Sequence, residues 1–183
     1  MMNNMKNNVT FAKKSETDNT LINREKYIKE ARTKYESYST DEWTKVVFDV
    51  QSGGFNVYHK RHNFSKAGGG GKAEKDVGKI LAKIGKQVEF LPEKDKDPDI
   101  IFDGQTWDIK YIEAANVQTI RNHIKDARKA DNAIFYWEAN NKLIELNNAI
   151  KREVGRFKNG QISYLPNIYY IDESGFLVLL WEK

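Results

Sequence analysis

Residues 98–110 read PDIIFDGQTWDIK, and the pairing of this stretch decides the fold. Ile100 to Phe102 and Gln105 to Lys110 are two short runs rich in β-branched and aromatic residues. Asp103-Gly104 stands between them, a dipeptide favoured at the two positive-φ positions of a type I′ hairpin turn. With that turn, Phe102 faces Gln105, Ile101 faces Thr106, Ile100 faces Trp107 and Asp99 faces Asp108. Directly paired residues point to the same side, with Cβ atoms about 4.5–5.5 Å apart. Lys110 lies two residues beyond Asp108 and shares that side. Ile100, Phe102, Trp107, Ile109 and Tyr111 take the other side and supply an apolar face.

Like charges directly opposite on neighbouring strands are destabilising. Two carboxylates so placed share a proton, hold a cation, or lie on a wet face with Lys110 neutralising them. Oxygen donors of this kind suit Mg²⁺ or Mn²⁺ and also admit Zn²⁺. Lys110 then stands beside the metal, where it can orient an attacking water or stabilise charge developing on a phosphate. That combination makes chemical sense as a phosphodiester-cleaving centre.

Outward from the hairpin, the chain alternates helical and extended patterns. Ala73, Val77, Ile80, Leu81 and Ile84 form one helical stripe ended by Gly85, and residues 87–91 (QVEFL) read as a strand. After the hairpin, Asn116 caps a helix carrying Val117, Ile120, Ile124 and Ala127, and residues 132–137 (NAIFYW) read as a buried strand. Residues 73–137 therefore run helix, three strands, helix, strand. A further helix over 142–157 and two strands flanking Glu173-Ser174-Gly175 complete an α/β fold with a mixed sheet. Before this core, residues 1–20 are polar and are expected to be a disordered tail. Residues 21–66 read as a helical region with a short strand: a helix over 21–38, a second helix from Ser39 or Thr40 through Trp43, Val46, Val47 and Val50, then a strand with Phe55, Val57 and His59 on one face. The run AGGGGK, residues 67–72, lacks the Gly and Ser/Thr positions of a phosphate-binding loop and reads as a flexible linker.

Composition bounds the function. The 183 residues carry 39% hydrophobic and 31% charged residues, which marks a globular protein with a real core. Cysteine is absent, which excludes disulfides, thiolate metal sites and cysteine nucleophiles. No run approaches the roughly 18 apolar residues of a membrane span, and the polar N-terminus does not read as a secretory signal. A cytoplasmic compartment is the plain expectation. The net charge is +4, with an acidic middle, 7 basic and 10 acidic residues over 73–113, between basic flanks. That balance fits a metal site among phosphate-binding groups.

Pro98-Asp99 followed by Asp108-Ile109-Lys110 resembles the PD-(D/E)xK signature of restriction-endonuclease-like nucleases. The helix, three strands, helix, strand order of 73–137 is similar to the core of that superfamily, and the resemblance extends to 73–183 by fold. It implies a metal-dependent nuclease in which Asp99 and Asp108 hold the divalent ion, Lys110 assists hydrolysis, and Glu74 adds a carboxylate from the first core helix. Asp76 and Glu89 are neighbouring candidates. Within the superfamily, the domain resembles the C-terminal nuclease toxin domains of contact-dependent inhibition (CdiA-type) proteins and related mobile-element nucleases. That resemblance implies DNA or transfer RNA as substrate, an immunity or inhibitor protein as partner, and delivery into another cell.

Two groups are candidates for nucleic-acid binding. Arg121, Lys125 and Arg128 share a helix face with Gln118 nearby. His59, Lys60, Arg61 and His62 form a basic patch, with Tyr58 or Phe64 available to stack on a base. His59 and His62 also define an alternative, a metal-independent ribonuclease working by general acid–base catalysis. A non-catalytic nucleic-acid-binding module is a third reading.

Overall fold

The alternation and turn signals above condense into one eight-stranded mixed sheet in which every strand lies beside its sequence neighbour. This is seen in a computed structural model that describes residues 4–64, 69–92 and 97–183, with side chains from residue 20 onward. The strands are β1 (Trp43–Phe48), β2 (Phe55–His59), β3 (Gln87–Phe90), β4 (Ile100–Phe102), β5 (Gln105–Tyr111), β6 (Asn132–Tyr136), β7 (Asn167–Ile171) and β8 (Leu177–Trp181). The helices are α1 (Asn4–Ser37), α2 (Gly70–Lys83), α3 (Val117–Asp126) and α4 (Leu143–Lys158). The pairs β2–β3, β5–β6 and β6–β7 are parallel and the others antiparallel. The α/β fold with a mixed sheet is as expected, and α2 to β6 runs helix, three strands, helix, strand.

The hairpin register is the one that Asp103-Gly104 dictates. Ile100 pairs with Trp107, Ile101 with Thr106 and Phe102 with Gln105. Asp103 and Gly104 have φ of 52° and 71°, the two left-handed positions of a type I′ turn. Phe102 and Trp107 stack with ring centroids 4.2 Å apart.

Alternation on β5 separates two cores. Trp107 and Ile109 join Val77 and Leu81 of α2, with Val88, Phe90, Ile100, Phe102 and Ile134. The opposite face packs Ile120 and Ile124 of α3 and Leu146, Ala149 and Ile150 of α4 against Ala133, Phe135 and Ile168. Asp108 pairs with Ala133 and Lys110 with Phe135, so both side chains belong to the α3–α4 face.

One expected helix is a strand. Trp43, Val46, Val47 and Val50 have helical spacing, yet residues 43–48 form β1, antiparallel to β2. The register shifts between Lys45 and Val47. An extra residue in a strand breaks strict alternation, and here the break imitates the i, i+3, i+4 pattern of a helix. Asp49 then receives the Gln51 and Ser52 N–H groups and turns the chain back.

Other boundaries moved less. α2 begins at Gly70, three residues before the apolar stripe, and of the AGGGGK run Ala67 and Gly68 lie outside the described residues. α1 spans Asn4–Ser37, while the side chains of the expected tail lie almost entirely outside the described set. Its later turns pack on the sheet through Ala31 and through Tyr35, whose ring lies 5.5 Å from both Phe48 and Phe55. β1 and β2, from the segment before the glycine run, are hydrogen-bonded into the same sheet as the rest. No described helix is long and apolar enough to cross a membrane.

Candidate active site

Asp99 sits one residue before β4, and Asp108 lies in the middle of β5. Leu91 N–H donates to the Asp99 carbonyl at 3.1 Å, which extends the β3–β4 ladder and fixes the Asp99 backbone. Asp99 Oδ2 accepts the Ile109 N–H at 2.9 Å, which fixes its side chain. Asp108 is 0% exposed and Asp99 7%. Burial, followed by the nearby Asp99 charge, pushes the Asp108 carboxyl up to about 7, against the opposing pull of Lys110.

Two ammonium groups stand against this pair. Lys110 Nζ lies 2.7 Å from Asp108 Oδ2. Lys129 Nζ lies 3.2 Å from Asp108 Oδ1 and 3.8 Å from Asp99 Oδ1. Neither Asp108 oxygen receives a well-aligned hydrogen bond among the described residues, so the lysines act on it by charge at ion-pair distance. Buried carboxylate oxygens are ordinarily hydrogen-bonded. Oxygens held dry, charged on one side and without aligned donors suit a hard cation.

Lys129 was not among the residues singled out from sequence. It closes the 3-10 turn Ala127–Lys129 between α3 and β6. The parallel β5–α3–β6 crossover brings this turn back over β5, with Ala127 and Ala130 as the small residues that let it approach. The available signal was the short connection before a strand that pairs in parallel with the Asp108 strand.

The structure brings Asp99, Asp108 and Lys110 together. It places Glu74 on α2 as a buried partner of His62, with Oε2 to Nε2 at 3.0 Å. His62 Nδ1 lies 2.7 Å from the Leu91 carbonyl. Both ring nitrogens thus lie at hydrogen-bond distance from protein oxygens. Leu91 links this pair to Asp99, because its carbonyl meets His62 and its N–H meets the Asp99 carbonyl. Among the described residues, no group of three or more His, Asp or Glu side chains gathers as a metal cage. Two carboxylates still fit an octahedral ion that keeps waters or substrate phosphates as its other ligands.

The remaining candidates have identifiable places. His59 Nδ1 accepts the Arg61 N–H at 3.1 Å, and the ring meets Trp43 edge-on. His59 and His62 are each 8% exposed, so neither imidazole is presented to solvent, while Lys60 and Arg61 are exposed. Tyr58 and Phe64 pack edge to face with each other. Asp76 pairs with Lys72, and Glu89 with Lys34 at 2.7 Å. Arg121 Nε and Arg128 Nη2 bind the buried Glu153 of α4 at 2.8 and 2.9 Å. Lys125 is exposed, and Gln118 Oε1 accepts from Arg121.

Residues 96–175 match the family model described as "Contact-dependent growth inhibition CdiA C-terminal domain". No curated protein matches the chain. Among solved structures, a CdiA-CT/CdiI toxin and immunity complex from Burkholderia pseudomallei is similar, at 22% identity, over 61% of this chain and 83% of that chain, with a TM-score of 0.43.

Proposed function

We propose that the protein is a metal-dependent nuclease that hydrolyses phosphodiester bonds of DNA or RNA and serves as a toxin of contact-dependent inhibition type. The observation that carries this reading is the Asp99–Asp108 pair: two buried carboxylates, one just before β4 and one in β5, both Asp108 oxygens without aligned donors among the described residues, flanked by Lys110 and Lys129. The family match, which spans both aspartates and both lysines, supports the toxin part.

Asp99 and Asp108 would hold the ion, the Asp99 side chain being oriented by the Ile109 N–H. Once bound, such an ion supplies Lewis-acid charge and a water of lowered pKa. The absence of an imidazole from the pair favours Mg²⁺ or Mn²⁺ over Zn²⁺, which prefers nitrogen and sulfur donors. Lys110 and Lys129 supply two fixed ammonium groups, placed to stabilise negative charge as it develops on phosphoryl oxygens. Glu74 and His62 act one layer out, through the Leu91 peptide that anchors Asp99. A nuclease delivered into another cell calls for a neutralising partner in the cell that makes it, so an immunity protein belongs to this reading.

Purified protein incubated with plasmid DNA and with total transfer RNA, in Mg²⁺, Mn²⁺, Zn²⁺ or EDTA, tests it. Cleavage of either substrate in Mg²⁺ or Mn²⁺ that EDTA stops is expected. Full cleavage in EDTA, lost in His59→Ala or His62→Ala, would return the function to the metal-independent alternative. Salt-sensitive binding with no cleavage in any metal would leave a binding module.

A further inference from the structure

A second charged centre lies on the same face of the sheet, built around Glu153. This carboxylate is 1% exposed, yet three guanidinium groups converge on it. Arg121 Nε reaches Oε1 at 2.8 Å, Arg128 Nη2 reaches Oε2 at 2.9 Å, and Arg156 Nη1 lies 3.2 Å from Oε2. One arginine neutralises one glutamate. Three bring like charges together, which costs energy unless an anion completes the set. Their side chains are 21%, 22% and 39% exposed, so the cluster opens to solvent. Arg128 Nε is buried and has no hydrogen-bond partner among the described residues. The surroundings add to the excess: α3, the 3-10 turn and α4 carry eight basic and three acidic residues.

We infer that Arg121, Arg128 and Arg156, preset by Glu153, form a phosphate-binding station for a nucleic-acid strand whose scissile bond lies at the Asp99–Asp108 pair. A guanidinium fork matches phosphate geometry and remains charged at any working pH. Fixing the forks on a buried carboxylate removes rotamer freedom before the strand arrives, which reduces the ordering cost of binding. Arg128 precedes Lys129 in the chain, and Lys129 touches both aspartates, so the station and the carboxylate pair share one turn of backbone. The inference rests on the proposed function: the station needs only its nucleic-acid part, and the position given to the scissile bond needs its cleavage chemistry.

Binding in EDTA tests it. Fluorescein-labelled single-stranded DNA, single-stranded RNA and duplex DNA of about 20 nucleotides are titrated by anisotropy over a range of KCl, with an Asp108→Asn protein so that the probes stay intact. Adding Arg156→Gln is expected to weaken binding several-fold at low salt and to lower the slope of log K against log salt by about 0.7–0.9. Unchanged affinity and slope in a protein that melts normally would overturn the inference. If Arg156→Gln melts early, Arg156→Lys carries the test, because it keeps the charge but loses the fork. Its salt slope should hold while affinity falls, and unchanged affinity overturns the inference. Poly-L-glutamate displacing the probes better than unlabelled oligonucleotide does would also overturn it, in favour of an acidic protein surface. If no metal supports cleavage but Arg156→Gln still lowers the slope, the station stands and the catalytic reading falls.

Discussion

Asp108 and Glu153 are both buried carboxylates on the α3–α4 side of the sheet, and their surroundings are opposites. Glu153 meets three guanidinium groups, and both its oxygens accept hydrogen bonds. Asp108 has a second carboxylate beside it, two ammonium groups at ion-pair distance and, among the described residues, no aligned donor on either oxygen. Equal burial with unequal hydrogen bonding separates a carboxylate fixed by its neighbours from one that, under the proposed function, would hold a cation. A buried acid whose oxygens lack aligned donors raises the free energy of the fold, and such perturbed groups cluster at functional sites.

The contrast can be broken most directly at Asp108. Asp108→Asn should lower metal-dependent cleavage by roughly 10³-fold, about 4 kcal/mol in the transition state, measured as initial rate under saturating Mg²⁺. Cleavage within a factor of three of wild type would remove Asp108 from the chemistry. Glu153→Ala should leave three arginines facing one another and destabilise the protein by roughly 3–5 kcal/mol in urea unfolding. A loss below about 1 kcal/mol would show that the cluster is not held by its centre.

The same Asp108→Asn change should act on stability with the opposite sign. The folded pKa of Asp108 lies above its ordinary value, at about 7. The folded state therefore holds this proton more tightly than the unfolded chain, and stability falls as pH rises from about 4 to 7. Without added metal, Asp108→Asn should melt above wild type at pH 8, by a difference of at most a few kcal/mol, and the gap should close near pH 4. A gap that widens on acidification would contradict the assignment. The smallest expected effect is at Lys129, where Lys129→Met should slow cleavage by roughly 10- to 100-fold, with the loss in kcat rather than KM.

The hairpin was legible because two independent signals agreed, the period-two alternation of 100–102 and 105–111 and the Asp103-Gly104 turn. The convergence of Asp99, Asp108 and Lys110 on one side followed from the register, and the role expected of them came from the resemblance. β1 was misread because its bulge near Val46 disguises a strand as a helix face. For Lys129 the short connection before β6 signals a returning crossover, but no local pattern encodes its distance to Asp108. Arg121 and Arg128 were visible as a basic helix face, while their anchor, Glu153, lies 25 residues or more further along the chain. Alone on α4 it looks like any solvated acid.

The Leu91 peptide has a consequence for how the molecule can be divided. Its two ends join residue 62 to the loop that carries Asp99. A fragment beginning at Ala73 would keep the whole signature hairpin, yet it would strip β2 from the edge of β3 and take away the imidazole that Glu74 faces in the interior. Such a trimmed domain should fold poorly even though every carboxylate and lysine of the pair is retained. The smallest cooperative unit is therefore expected to be larger than the hairpin that carries the aspartates, with its border upstream of the glycines.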